Sequence, residues 1–464
     1  MFTPRGPDAG TARGEPPVEQ ISIGKRIAFT TVLAGLVVLV AEASALVLAH
    51  RIATQDVVDF APALLPARLH APPRRQAAVA LYEATYDPDL GWVNKRGYNF
   101  NGNPAQYTYD DQGARESTRP FANTRVSTYG DSFTHGDEVA PDQTWSQRLA
   151  DQLHSNVLNF GVGGYGTDQA VLRVAKNCRA GRRTDVVVLG ICSENVNRIL
   201  GNLRAFYTNV VCLSCAANGP KPMFTKTAAG FELLRLEPQP LAALDAALDQ
   251  ARRHDFWYRG FSFPYVLSLL RWYSRDRDQV RQCGPLCEGR WDLPLARETM
   301  HFVLGQFLEL SREYHFRPVV AFLPCWTDFV AVSAGKPPGY RRFLREAEQA
   351  QDLRGLTFVE VVGERFKPEY QRYLGSDGLH PGVEGHRLIA DVLAPRVAPL
   401  LASEVRAANP SSSPASSSTG LGDAYGTSVA KRYKVVGQPT DLGGAGRFPA
   451  LRESVVASHW TVRE

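Results

Sequence analysis

The stretch YGDSFTHG, residues 129–136, follows the short apolar run 126–129. Gly130, Asp131 and Ser132 admit two readings. In one, Gly130 makes a turn and Ser132 caps the next helix, both for local backbone reasons. In the other, Ser132 is a nucleophile held at the carboxyl end of a strand, where open α/β sheets place their ligands. Working outward, β-like runs stand at 125–129, 157–160, 185–190, 318–324 and 356–362. Helical patterns separate them: TWSQRLADQL, TDQAVLRVAKN, ARETMHFVLGQFLELSREY and YRRFLREAEQA. A last helix, VEGHRLIADVLAPRVAPLLASEV, closes the series despite Pro395. Strands alternating with helices predict βαβ units and a parallel sheet of about five strands, covered on both faces.

The chain has 464 residues, 44% of them apolar, enough for a large core and more than one domain. Its net charge of +5 is small for this length, and no basic stripe with interleaved aromatics is present, so nucleic acid is not an expected partner. Residues 1–26 are polar, Pro-rich and end in Lys25-Arg26. Residues 27–49, IAFTTVLAGLVVLVAEASALVLA, are apolar and long enough to span a bilayer. Glu42 interrupts them, at a cost of about 3 kcal/mol in the middle of a span, and invites a partner helix or neutralisation. A cleaved signal ending in the small residues AEASA is the alternative. A retained anchor is favoured because the apolar run resumes at Leu46. Basic residues ahead of the span put the N-terminal segment on the cytoplasmic side. Either way, the rest of the chain is expected on the exported side, periplasmic or extracellular.

Residues 50–118 read as an irregular approach segment, 119–402 as the main domain, and 403–464 as a low-complexity linker and tail. Within the domain, 198–295 is an insertion that holds the close cysteine pairs CLSC (Cys212, Cys215) and CGPLC (Cys283, Cys287). Their spacing fits a four-thiolate zinc site or disulfides, and export favours disulfides. No HExxH, Walker A or other metal- or phosphate-binding motif is present, and neither a cofactor nor a metal is expected.

Three more stretches carry chemistry. NFGVGGYGTD, after the second strand, contains Gly161, Gly163 and Gly166 in the G-x-G-x-x-G pattern of dinucleotide-binding proteins, with Glu194 as a candidate ribose-binding acid. That reading makes the chain a nucleotide-dependent oxidoreductase. It is disfavoured, because Glu194 stands far along and Gly-Asp-Ser goes unexplained. VVVLGICSENVNR brings Asn195 to the end of the third strand. In SDGLHPGVEGHRLIA, Asp377 and His380 are three apart in a turn, a spacing that lets a carboxylate orient an imidazole toward a nucleophile.

Together GDSF, NFGVGGYG, LGICSEN and DGLHP, in this order over 119–402, resemble the SGNH (GDSL-type) hydrolase superfamily. YDPDLGW, DDQGAR and GPKPMFTK…FELLRLEP look like its membrane-anchored bacterial branch. The resemblance implies a flavodoxin-like three-layer α/β sandwich with Ser132 as nucleophile, His380 as general base and Asp377 orienting it. It implies an oxyanion hole from the N–H groups of Ser132 and Gly164 and the Asn195 side chain. Val196 departs from the family's Asn-Asp, which makes Asn197 a rival donor. The expected activity is a serine esterase on acyl esters, O-acetyl above all, of an extracytoplasmic carbohydrate. An O-acyltransferase of an exopolysaccharide pathway is the alternative.

Overall fold

A computed structural model of the chain describes residues 22–57, 80–97, 107–203, 219–257, 261–271, 273, 290–362 and 369–402. Residues 417–464 separate from 1–416 as a second unit and lie outside the described residues, as do Cys212, Cys215, Cys283 and Cys287.

Five parallel strands form the central sheet: β1 (Thr124–Gly130), β2 (Asn156–Gly161), β3 (Val186–Cys192), β4 (Arg317–Leu323) and β5 (Thr357–Glu360). Their spatial order is β2-β1-β3-β4-β5, the flavodoxin-like order. The strand period of two sorts their side chains onto opposite faces. Val126, Val157, Val186, Val188, Val319, Ala321 and Leu323 point into one core. Tyr129, Phe160, Val187, Leu189, Ile191, Val320 and Phe322 point into the other. Strands buried on both sides explain why these runs read as nearly continuous hydrophobics.

Helices cover each face. On the first lie α2 (Trp145–Leu153) and α6 (Val383–Ala402), through Trp145, Leu149, Ile389, Leu393 and Val397. On the second lie α3 (Thr167–Arg179), α4 (Pro294–Tyr314) and α5 (Arg341–Gln349), through Val171, Val174, Val303, Phe307 and Phe343. Burying each of the large side chains is worth roughly 1.5–3 kcal/mol. Thr144 caps α2 by accepting the Gln147 N–H at 3.1 Å, the local reason the helix starts there. The crossover through α2 runs on one face and that through α3 on the other. The strand order therefore reverses about β1, and a crevice opens at the carboxyl ends of β1 and its neighbours.

The sequence set the strands within one or two residues. It did not show how the approach segment and the insertion pack. The approach segment reaches across the strand ends: Arg115 N–H donates to Asn159 O at 2.8 Å, and its guanidinium donates to His135 O, Gly136 O and Val139 O. Trp92 Nε1 donates to Gly163 O at 3.0 Å. The insertion includes an antiparallel hairpin, Met223–Thr227 with Gly230–Leu234, and Lys221 just before it pairs with Asp168 in a buried ion pair. One further helix, α1 (Ile23–Val57), is long and apolar enough over Ile23–Ala49 to cross a membrane. A signal sequence near the N-terminus would pass the same test.

Candidate active site

Ser132, Gly164 and Asn195 follow the carboxyl ends of β1, β2 and β3, and Asp377 and His380 lie between β5 and α6. β1 ends at Gly130, and the chain turns at once into a four-residue helix, Ser132–His135. Asp131 caps it by accepting the Phe133 N–H at 3.0 Å. The cap is therefore Asp131 and not Ser132, and Ser132 is left at the head of the turn, only 5% exposed. The turn packs tightly on β2: a Cβ at Gly161 would lie 2.2 Å from the His135 backbone nitrogen. Glycine is there for close approach.

Ser132 Oγ lies 2.8 Å from His380 Nε2. Asp377 Oδ2 bonds His380 Nδ1, while Asp377 Oδ1 accepts the N–H groups of Leu379 and His380 at 2.9 Å each. The aspartate thus closes its own turn and holds the ring of the residue three along. The Phe133 ring lies 4.9 Å from that of His380. Burial alone would lower the proton affinity of His380. The hydrogen bond to Asp377 and the charges of Asp137, Asp377 and Asp131 outweigh it and raise the imidazole above its ordinary 6.5. Burial works to raise Asp377, but its bond to His380 holds it below the usual carboxylate range.

Gly164 follows β2 with φ +80°, a left-handed conformation that suits glycine. Among the described residues, neither its N–H nor that of Ser132 has an acceptor. Asn195 is at the edge too, 1% exposed. Its Nδ2 donates to Asp131 Oδ2 at 2.9 Å and to Tyr165 O at 3.3 Å, while its Oδ1 accepts the Cys192 N–H. Asn197 is turned away: its Oδ1 accepts the Arg290 N–H at 2.9 Å and ties down the insertion. Val196 is buried in the core.

Glu194 is not free to hold a ribose. It pairs with Arg198 at 2.7 Å, and the first turn of α3 is filled by the Asp168–Lys221 ion pair. A pyrophosphate would meet a carboxylate there, which corrects the dinucleotide reading of the glycine loop.

Three residues escaped the sequence reading. Arg198 Nη1 donates to Asp131 Oδ2 at 3.0 Å and to Tyr165 O at 2.9 Å, so it joins the Gly-Asp-Ser turn to the glycine loop. The Glu194/Arg198 spacing of four on a helix was its only signal. Asp137 bonds His135 Nδ1 at 2.5 Å, and Tyr109 Oη lies 2.8 Å from His135 Nε2. Burial pushes the His135 imidazole below its ordinary value, against the pull of the Asp137 carboxylate. Glu138, with φ +71°, accepts from Ser376 Oγ and links the Ser132 turn to the Asp377–His380 turn. His386 is fully buried and its Nδ1 accepts the Trp145 N–H at 3.1 Å; burial pushes it down to about 3.

The family model described as GDSL-like Lipase/Acylhydrolase family matches residues 128–388, more than half of the chain. No curated protein matches by sequence. Among solved structures, a carbohydrate acetylesterase family member from Sinorhizobium meliloti is 15% identical, with 60% of this chain and 99% of that chain covered and a TM-score of 0.28. An acetyl xylan esterase from the rumen bacterium Butyrivibrio proteoclasticus is 10% identical, covering 63% and 68%, with a TM-score of 0.28. A member of the lipolytic protein G-D-S-L family from Veillonella parvula is 14% identical, covering 58% and 96%, with a TM-score of 0.22.

Proposed function

The chain belongs to the GDSL-like lipase/acylhydrolase family, hydrolases acting on ester bonds, and on that premise we propose that it is a serine esterase whose nucleophile is Ser132. One observation carries the reading: Ser132 Oγ lies 2.8 Å from a His380 ring whose other nitrogen is held by Asp377. A serine hydroxyl attacks an acyl carbon only when a hydrogen-bonded base takes its proton. His380 takes it, and Asp377 fixes the ring and stabilises the imidazolium. The carbonyl oxygen becomes an oxyanion facing the N–H groups of Ser132 and Gly164. Asn195 adds a third donor by giving up the longer of its two bonds, that to Tyr165 O. His380 then protonates the leaving alcohol, and water, activated by the same imidazole, releases the acid and frees Ser132.

The substrate class we propose is an acyl ester, O-acetyl above all, on an extracytoplasmic carbohydrate. Family membership supports the ester, and α1, read as a membrane anchor with the domain on the exported side, supports the location. Ser132→Ala in the full chain should lower hydrolysis of p-nitrophenyl acetate by roughly four to six orders of magnitude with the fold kept. Near wild-type turnover by the folded variant would return Ser132 to the role of a helix-start residue. Acetyl transfer to added oligosaccharide, outrunning hydrolysis, would make the enzyme a transferase through the same acyl-serine.

A further inference from the structure

Glu42 is the anomaly of α1: a carboxylate inside the apolar run 27–49. The structure gives it partners. Its Oε2 accepts the Tyr265 N–H at 2.6 Å, and its Oε1 accepts the Val266 N–H at 3.3 Å. Those two amides open a short helix, residues 265–271, inside the insertion. Ala45 and Ala49 are the buried positions of the span among the described residues, at 6% and 1% exposed. They share a stripe of α1 with Glu42, and small side chains there let a second element come close.

The segment that meets Glu42 reads FSFPYVLSLLRWY, residues 261–273. Phe263, Leu267, Leu270 and Tyr273 are 72%, 50%, 57% and 57% exposed. Outside α1 and this segment, the exposed large hydrophobics among the described residues are Leu241 and Val383 alone. The apolar surface of the insertion therefore continues that of the span. Several of its backbone groups are paired within the protein. Pro264 has no N–H, and Tyr265 and Val266 give theirs to Glu42. Ser262 N–H donates to Ser268 Oγ at 3.2 Å, whose hydroxyl donates back to Ser262 O at 2.7 Å. Ser268 N–H donates to Pro264 O at 3.1 Å. Lipid demands such internal pairing of backbone groups, whereas a loop in water does not need it.

We propose that residues 261–273 enter the lipid bilayer beside α1 as a second membrane-inserted element, with Glu42 as the joint between them. The partner is the acyl-chain layer of a bilayer. Seven residues separate Glu42 from Ala49, a rise of about 10 Å, so the joint sits in the outer third of a core about 30 Å thick. The apolar stretch 261–273 is 13 residues long, short of the about 20 that a spanning helix needs, so the segment enters and returns on one side. Cleavage at AEASA would remove Glu42 and leave two amides unpaired in lipid, so α1 is retained in the mature chain.

The proposal rests on reading α1 as a membrane span, and not on the esterase chemistry. The test places p-benzoylphenylalanine at Leu267 or Leu270 in the full chain, in vesicles of phosphatidylethanolamine and phosphatidylglycerol, and follows irradiation by mass spectrometry. Lipid adducts should form at both positions, about tenfold above the same probe at exposed Glu346. Glu42→Leu should cut the Leu270 adduct about tenfold, while Glu42→Gln, which keeps an acceptor oxygen, should retain most of it. The circular dichroism spectrum and thermal melt of every variant report that the domain is folded. A chain extracted from the vesicles by alkaline carbonate removes the span reading and this proposal with it. A chain that stays, but gives no lipid adduct, adducts with a second copy instead, or an adduct indifferent to Glu42→Leu, overturns this proposal alone.

Discussion

At the scale of single residues, the proton affinity of His380 decides when the proposed enzyme works. Burial opposes the rise, but Asp377 and Asp137 push the imidazole above 6.5. Only the neutral ring can take the Ser132 proton. So kcat/KM should climb with pH along a limb centred above 6.5, then level off. Asp137→Asn removes one of the raising charges, and its amide can still bond His135. The limb should shift to lower pH, measured as the kcat/KM profile on a soluble ester; an unmoved limb would disconnect Asp137 from His380. Asn195 gives a second test. A donor acting on the oxyanion helps the transition state alone, so Asn195→Ala should slow kcat by ~10²–10³ and spare KM. Asn197→Ala should do far less to kcat, because that side chain holds Arg290 N–H. A loss of stability from Asn195→Ala with kcat intact would make the residue a brace for Asp131 only. The sequence pointed to Ser132, Asp377 and His380 because their contacts are local turns plus one long-range bond. It left Arg198 and Asp137 unnoticed because the groups through which they act on the site, Asp131 and Tyr165 for the one and His380 for the other, come from other loops.

At the scale of elements, the insertion is fastened to the catalytic sheet by a few buried polar joints. Trp257 Nε1 donates to Asn197 O at 2.8 Å and Trp291 Nε1 to Ser193 O at 3.1 Å, both at the exit of β3. Lys221 meets Asp168 at the head of α3, with the two side chains 6% and 0% exposed. Removing one partner strands the other charge in a dry site. Lys221→Met should therefore lower stability by about 3–5 kcal/mol in denaturant melts, and adding Asp168→Asn should recover most of it. Equal losses from the single and double variants would mean that packing, and not charge, holds the joint. None of these joints has a periodic signature. An ion pair between residues 53 apart in sequence is written in no local pattern.

At the scale of the whole molecule, the proposed location puts the domain on the exported side of a membrane. Lys25-Arg26 ahead of the apolar run favours an inside N-terminus. A phosphatase reporter fused after residue 402 should thus be active in cells, and a reporter active only in the cytoplasm would reverse the orientation. The sequence by itself determined the layered α/β plan, because a buried parallel strand needs an unbroken apolar run and each covering helix needs a 3.6-residue stripe. It also determined the order of the site motifs along the chain, since each sits where a strand must end. Tertiary structure alone decided the rest. Only the sheet order β2-β1-β3 brings the Ser132 turn, the glycine loop and Asn195 to one crevice. Only packing showed that the approach segment, irregular as a sequence, clamps that crevice through Arg115 and Trp92. And only the fold supplied partners for Glu42, 223 residues from Tyr265, because hydrogen bonds between distant segments leave no period in the chain that makes them.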